Sequence, residues 1–177
     1  MEVEPLVRTV LSRGRCDSFP ELAARYLEEY LQKIQVTVNR LDEEQVWWRP
    51  AAGASSVGNL LLHLHGNLSL WILSSLGERD FDRDRAGEFS ADRSHRRDEL
   101  GELLESTVAE SCKVVRSIDP ADFHRPLSIQ GYSCDVLGAL FHAVEHMSYH
   151  TGQILWIVKR QTIETDPLDL YPRHRGE

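Results

Sequence analysis

Residues 136–159, VLGALFHAVEHMSYHTGQILWIVK, are the stretch that decides the fold of this chain. Apolar side chains recur along it every three or four residues, which is the spacing of one face of an α-helix. His142, His146 and His150 stand within this apolar pattern, each four residues from the next. Side chains four apart lie on the same side of a helix. The stretch therefore predicts a long helix that carries three histidines on one face.

Three upstream stretches show the same periodicity, and the first two of them also have helix-capping residues in front of them. Ser18 and Glu21 have the spacing of a capping box, and Pro20 fits the first turn of a helix. The predicted helices, with their candidate caps, run from Ser18 to near Leu41, from Ser55 or Ser56 to Gly77, from Leu100 to before Asp119, and from Ser133 or Asp135 to about Lys159. A further short turn is expected at Asp42 to Trp48.

The segments between these helices are predicted as loops. Residues 78–97 alternate arginines with acidic residues, and we interpret them as a long, charged, solvated connection rather than an anion site. Residues 121–133 contain Pro126 and Gly131 and predict a loop with a short extended piece. We expect one domain over residues 1–177, with a core at about 18–161 and a loosely held polar tail at 162–177. The predicted fold class is all-α, a four-helix bundle.

Composition and charge exclude several classes of function. The chain has 177 residues, 41% of them hydrophobic and 27% charged, as in an ordinary globular protein. Its formal net charge of −8 argues against a general nucleic-acid or anionic-membrane surface. Three cysteines without a CxxC pair, and no signal-peptide pattern, predict a cytoplasmic protein without disulfides.

The histidines predict a metal site. A second pair, His63 and His65, lies in the second predicted helix, and because these two are two residues apart only one can face the same interior. The simplest site combines one of them with two of the three histidines of the fourth helix, either His142 with His146 or His146 with His150. Three imidazoles with one open coordination position are typical of a catalytic site. A competing motif, HxxEH at 142–146, would make Glu145 the base of a peptidase, but the match is short and weakly specific.

Two motifs then resemble a known family. The sequence SVGNLLLH at 56–63 and the sequence HMSYHTGQI at 146–154 are similar to the second and fourth helices of DinB-like four-helix-bundle proteins. LDEE at 41–44 and WRP at 48–50 fit the connection between that family's first two helices. The resemblance covers roughly residues 19–160. It implies an up-down-down-up bundle with His63, His146 and His150 as the metal ligands, and it leaves His65 and His142 without an assigned role.

The resemblance also implies a function. Members of the family are homodimers that bind divalent ions, nickel or zinc first and iron or manganese next, and some are bacillithiol- or mycothiol-dependent transferase-like proteins. We therefore expect a small bacterial metalloenzyme that activates water or a thiol, either a hydrolase or a thiol-S-transferase acting on a small molecule. The alternative is a non-catalytic, stress-related bundle whose metal is structural or sensory. No residue is assigned as a general acid or base, and no organic cofactor is expected. The four tryptophans are more typical of a core than of a substrate pocket.

Overall fold

The computed structural model describes residues 7–165 and 168–170. Its long helices form the bundle, and its short elements lie in the connections between them. In chain order the elements are a 3-10 turn (Val10–Arg13), α1 (Phe19–Val38), α2 (Glu43–Trp47), α3 (Val57–Leu68), which continues as a π-helical turn (Ser69–Ser74), α4 (Arg85–Ser90), α5 (Arg97–Arg116), a 3-10 turn (Pro120–Asp122), strands β1 (Pro126–Ile129) and β2 (Tyr132–Asp135), and α6 (Val136–Thr162).

Side-chain caps begin three of the bundle helices. Ser18 accepts a hydrogen bond from the backbone amide of Glu21, as its position predicts, and α1 ends at Val38 rather than near Leu41. Ser56, not Ser55, caps α3, and Asp135, not Ser133, caps α6. Each cap satisfies a backbone N–H that has no partner within the first turn of its helix. The local sequence thus sets where these helices start.

The directions of the four helices follow from contacts between their ends. Arg97, at the start of α5, donates to the carbonyl of Leu41 after α1, and Arg116, at the end of α5, pairs with Glu21 at the start of α1, so α1 and α5 are antiparallel. His65 contacts Thr107, and Arg79 pairs with Glu110, so α3 and α5 run parallel.

The remaining two helix pairs complete the order. His63 of α3 contacts His146 of α6, whereas Trp71, later in the chain, contacts His142, which is earlier in α6. The two helices are therefore antiparallel. At the far end of α6, Gln161 donates to the carbonyl of Gln45, close to the end of α1. The bundle is therefore up-down-down-up, as expected.

Because α3 and α5 are consecutive and parallel, the connection between them must return along the bundle. This connection, residues 75–96, contains α4 and is not the fully solvated loop that its charge pattern predicts. The side chains of Arg83 and Glu88 are only 6% and 8% exposed. That interpretation was wrong because these opposite charges neutralise one another against α3, which allows both side chains to be buried.

The segment before α6 also differs from the prediction. Residues 126–135 form an antiparallel hairpin in which Ile129 pairs with Tyr132 across the turn. Gln130 and Gly131, the two turn residues, both have a positive φ, at 52° and 81°. A two-residue turn of this kind matches the right-handed twist of paired strands. Ile129 packs with Trp71 and Ala139, which holds the hairpin against the bundle.

One large hydrophobic cluster joins the four long helices, and a smaller one involves the chain ends. In the smaller cluster Leu168 and Leu170 are buried against Val7, so this part of the tail is not loosely held. The rest of that prediction, on residues 166–167 and 171–177, lies outside the described residues. All three cysteines are free thiols, as expected. None of the helices described here has the length and apolar character needed to cross a membrane.

Candidate metal centre

Three of the predicted histidines converge between α3 and α6. His63 lies on α3 and is 4% exposed, while His146 and His150 lie half-buried, one turn apart on α6. The candidate ligand atoms of these three side chains all lie within 4.8 Å of one another. The Nε2 atoms of His63 and His146 are 3.1 Å apart. Two nitrogens bound to one tetrahedral zinc ion are separated by about 3.3 Å, so this spacing fits a shared ion.

Hydrogen bonds at the far side of two rings orient them for this role. The Nδ1 atom of His63 donates to Oε2 of Glu88 at 2.8 Å, and the Nδ1 atom of His150 donates to Oε1 of Gln153 at 2.7 Å. Both bonds leave the Nε2 lone pair free for an ion, the usual arrangement around metal-bound histidines. At 3.1 Å the Nε2 atoms of His63 and His146 are close enough to share one proton when no ion is bound, or to bind one ion together. The donor set therefore fits a divalent metal.

Burial also favours the form of the histidines that binds metals. Desolvation, followed by the neighbouring imidazoles, lowers the pKa of His146 to about 3. Desolvation lowers the pKa of His150 to about 4. Both rings are therefore neutral at pH 7, as a metal ligand must be. The Nδ1 atom of His146 is buried and has no hydrogen-bond partner among the described residues.

Glu88 is the residue of the candidate centre that the sequence interpretation missed. Its carboxylate binds His63 and also accepts two bonds from Arg83, at 2.6 and 2.9 Å. Burial alone would raise the pKa of Glu88, but the hydrogen bonds from His63 and Arg83 outweigh it and lower the pKa. Gly66 makes room for this group, since a Cβ there would lie 2.0 Å from the carboxylate. The two phenylalanines in the charged stretch, Phe81 and Phe89, were the available signal that part of it is buried.

The other histidines have different surroundings. His65 faces α5, where its Nδ1 atom lies 2.7 Å from the hydroxyl of Thr107, so only His63 of that pair faces α6. His142, which the resemblance leaves without a role, is half-buried on α6 and is not one of the three converging histidines. Its ring centroid lies 4.0 Å from that of Trp71, and desolvation lowers its pKa. Glu145 is exposed on the outer side of α6, which does not fit the role of a peptidase base.

A cavity of about 610 Å³ adjoins the three histidines. Its wall includes His63, His146, His142, Asn67, Trp71 and Arg85. Trp71 thus lines it, whereas Trp47 packs on Gly58, and Trp48 and Trp156 are exposed elsewhere. Because two of the three histidines form part of this wall, a small molecule in the cavity can reach the centre between them.

The comparisons with known proteins agree with this architecture. YfiT from Bacillus subtilis, described as a probable metal-dependent hydrolase with an unusual four-helix bundle topology, is 19% identical with a TM-score of 0.66, over 84% of this chain and 91% of that one. A DinB-like protein from Bacillus cereus is 15% identical with a TM-score of 0.64, over 80% and 91%. A mycothiol-dependent maleylpyruvate isomerase is 15% identical with a TM-score of 0.58, over 81% and 68%.

At 15–19% identity, the likeness to these solved structures shows only the fold of the chain. The family is shown by a match to a family model. No curated protein matches the sequence significantly. The model of one family, described as "Protein of unknown function (DUF1572)", matches residues 16–167. The chain therefore belongs to the DUF1572 family and has the fold of the DinB-like four-helix bundles.

Proposed function

We propose that this protein is a metal-dependent enzyme in which His63, His146 and His150 hold one divalent ion, nickel or zinc before iron or manganese. The observation that carries the proposal is the convergence of three imidazoles on one centre at the wall of a cavity. Three protein ligands leave a coordination position open, as in catalytic rather than structural zinc sites. The substrate is a small molecule held in the cavity, and hydrolysis or thiol transfer is the reaction.

The residues around the centre have distinct tasks. Glu88 and Gln153 keep His63 and His150 in the tautomer that presents Nε2, and Arg83 holds the carboxylate of Glu88 in place. A divalent ion bound there supplies positive charge that lowers the pKa of water or of a thiol toward neutrality. Trp71 and Asn67 form the cavity wall beside the reacting centre. Of two structural neighbours, one is named as a probable metal-dependent hydrolase and the other as an isomerase that depends on a thiol, which is consistent with a bound ion that activates water or a thiol.

Metal content tests this proposal directly. Tag-free protein, purified without a nickel column, is measured by elemental mass spectrometry beside His150→Ala. His124→Ala is the matched control, since His124 is an 87%-exposed histidine away from the three. We expect close to one ion per chain in the wild type and the control, and loss of the ion in His150→Ala. Equal metal content in all three proteins would refute the assignment of His150.

Turnover then separates the enzyme from the non-catalytic alternative. Ester and amide hydrolysis and thiol conjugation are assayed with the metal-loaded protein and with the chelated protein. Activity that requires the ion supports the enzyme and excludes a purely structural metal. A large fall in Tm on chelation with no turnover on either substrate class would favour the structural or sensory alternative.

We further propose that the partner is a second copy of this chain, packed through α6. Phe141, Tyr149 and Trp156 are each about 60% exposed and lie on one stripe of α6 with Gly152. Glu145 and Lys159 stand seven residues before and after Gly152, and both are exposed. An antiparallel pair of α6 helices crossing at Gly152 would place each Glu145 opposite Lys159 of the second copy, around a shared apolar strip.

A charge swap tests that interface. Sedimentation velocity should show a dimer for the wild type and weaker association for Glu145→Lys and for Lys159→Glu. The double variant, in which both charges are exchanged, should associate as the wild type does. A dimer unaffected by either single change, or a monomeric wild type, would refute the interface.

The free thiols fit a reducing compartment, and we propose a cytoplasmic location on that basis.

A further inference from the structure

An exposed arginine at the wall of the cavity beside the three histidines has a positive charge that no described group neutralises. Arg85 reaches its wall, and among the described residues no carboxylate lies within ion-pair distance of this guanidinium. The residues that line the cavity include no Asp or Glu. Arg83, on the same wall, differs because its charge is neutralised by Glu88. An acidic protein of net charge −8 thus presents an unneutralised cation at this place.

Arg85 stacks on Phe89, which lies one turn further along α4 and contacts His63. Its guanidinium carbon lies 5.1 Å from the centroid of the Phe89 ring, which is within the range of a cation–π contact. The Phe89 ring in turn lies 4.7 Å from the ring of His63. Arg85 is therefore near the centre without competing for a ligand position. A guanidinium held in this way can bind a carboxylate or phosphate through two parallel hydrogen bonds.

Two amides add hydrogen-bonding capacity to the same wall. Gln130, at the tip of the hairpin, accepts a bond from the indole N–H of Trp71 at 3.3 Å, which leaves its NH₂ group free to donate. Asn67 is 4% exposed, and its Oδ1 atom has no partner among the described residues. Because this oxygen can only accept a hydrogen bond, it suits a donor group elsewhere on a ligand and not the oxyanion itself.

We propose that the substrate carries an oxyanion, a carboxylate or a phosphate, which binds to Arg85 and Gln130 while the reacting group of the same molecule lies at the three histidines. This inference rests on the proposed function for the position of the reacting group. The site discriminates by charge, since a neutral molecule of the same size would leave the guanidinium without an acceptor. Arg85 is a binding residue for specificity, separate from the residues that hold the ion.

Isothermal titration calorimetry tests the oxyanion site without measuring turnover. The probes are glutarate, inorganic phosphate and the neutral 1,5-pentanediol, at constant ionic strength, on the full-length protein whose metal content is measured on the same samples. The variants are Arg85→Gln, Arg85→Lys and, as a matched control, Arg93→Gln, which alters an exposed arginine of the same connection. An anion that binds directly to the metal ion would do so in the wild type and in every variant. Differences in Kd between Arg85 variants and the wild type therefore report on Arg85.

We expect the wild type to bind glutarate or phosphate but not the diol, and the tighter of the two anions identifies the oxyanion. Arg85→Gln should raise the Kd of that anion about ten- to hundred-fold, with Arg85→Lys in between and Arg93→Gln unchanged. No anion binding by the wild type, an equal Kd in Arg85→Gln, or an equal effect of Arg93→Gln would each overturn the proposal. If the samples contain no metal, the proposed function is refuted, but the comparison of Kd values between the wild type and the Arg85 variants still tests the oxyanion site.

Discussion

Gly66→Ala is the substitution for which local sequence preference and the tertiary structure predict opposite results. Alanine in place of glycine inside α3 should stabilise the helix by about 0.5–1 kcal/mol. In the folded protein, however, a Cβ at this position would lie 2.0 Å from Oε1 of Glu88 and 3.0 Å from Nε of Arg83. Ordinary contact begins near 3.4 Å, so the carboxylate oxygen must retreat by about 1.4 Å.

That displacement disrupts the bonds that hold the group together. Moving Oε1 by about 1.4 Å breaks its 2.6 Å bond to Nε of Arg83 and strains the bonds of Oε2 to His63 and Arg83, at 2.8 and 2.9 Å. Both members of the ion pair are more than nine-tenths buried, so water cannot replace the lost partner without rearrangement. Breaking such a pair costs about 3–5 kcal/mol. After the gain in helix propensity, we expect the free energy of unfolding to fall by about 2–4 kcal/mol.

Urea unfolding followed by circular dichroism measures this change. For a chain of this size a loss of about 2–4 kcal/mol lowers Tm by roughly 5–15 °C. Gly101→Ala is the matched control, because it lies within α5 and a Cβ there meets nothing within 4 Å. This control should gain about 0.5–1 kcal/mol. In a Glu88→Ala background the clash with the carboxylate is absent and Arg83 loses the partner that holds it in place, so Gly66→Ala should destabilise the protein much less.

The same substitution should weaken metal binding without touching a ligand. Loss of the carboxylate that orients a metal-bound histidine costs about 10- to 100-fold in affinity. Competition with a chromogenic chelator measures this affinity for the wild type, Gly66→Ala and Gly101→Ala. If Gly66→Ala were as stable as Gly101→Ala and bound metal as the wild type does, the reasoning on the Glu88 group would be refuted.

Three further predictions follow from burial. Burial raises the pKa of the Cys112 thiol to about 12, so iodoacetamide at pH 8 should leave it unmodified in the native protein and alkylate it in urea, as mass spectrometry will show. Desolvation and the neighbouring imidazoles lower the pKa of His146 to about 3 from 6.5. The unfolded chain therefore binds more protons between these values, and the Tm of chelated protein should fall as pH drops below about 6.5, less steeply in His146→Gln. His65→Ala should cost about 1 kcal/mol through its lost bond to Thr107 but keep the metal, whereas His63→Ala should lose it; unfolding and elemental analysis distinguish the two.

Contacts between residues that are close in sequence could be predicted without the structure. Ser18, Ser56 and Asp135 begin helices through bonds to residues three positions on; capping rules predicted Ser18 and left two candidates for each of the other two helices. The spacing of four between His146 and His150 places both on one side of α6, because helical geometry repeats every 3.6 residues. The spacing did not choose that pair over His142 and His146; the resemblance to DinB-like proteins did.

Contacts distant in sequence depended on how the helices are arranged. Glu88 reaches His63 only because α3 and α5 run parallel, which sends the connection between them back along the bundle and past the centre. The hairpin tip at Gln130 reaches Trp71 for a similar reason, since Ile129 anchors the strands against the helices. A charge pattern cannot show whether an arginine and a glutamate face water or each other. Periodicity therefore predicted the helices and the histidine face, whereas the buried ion pair and the charged wall of the cavity arise from long-range packing.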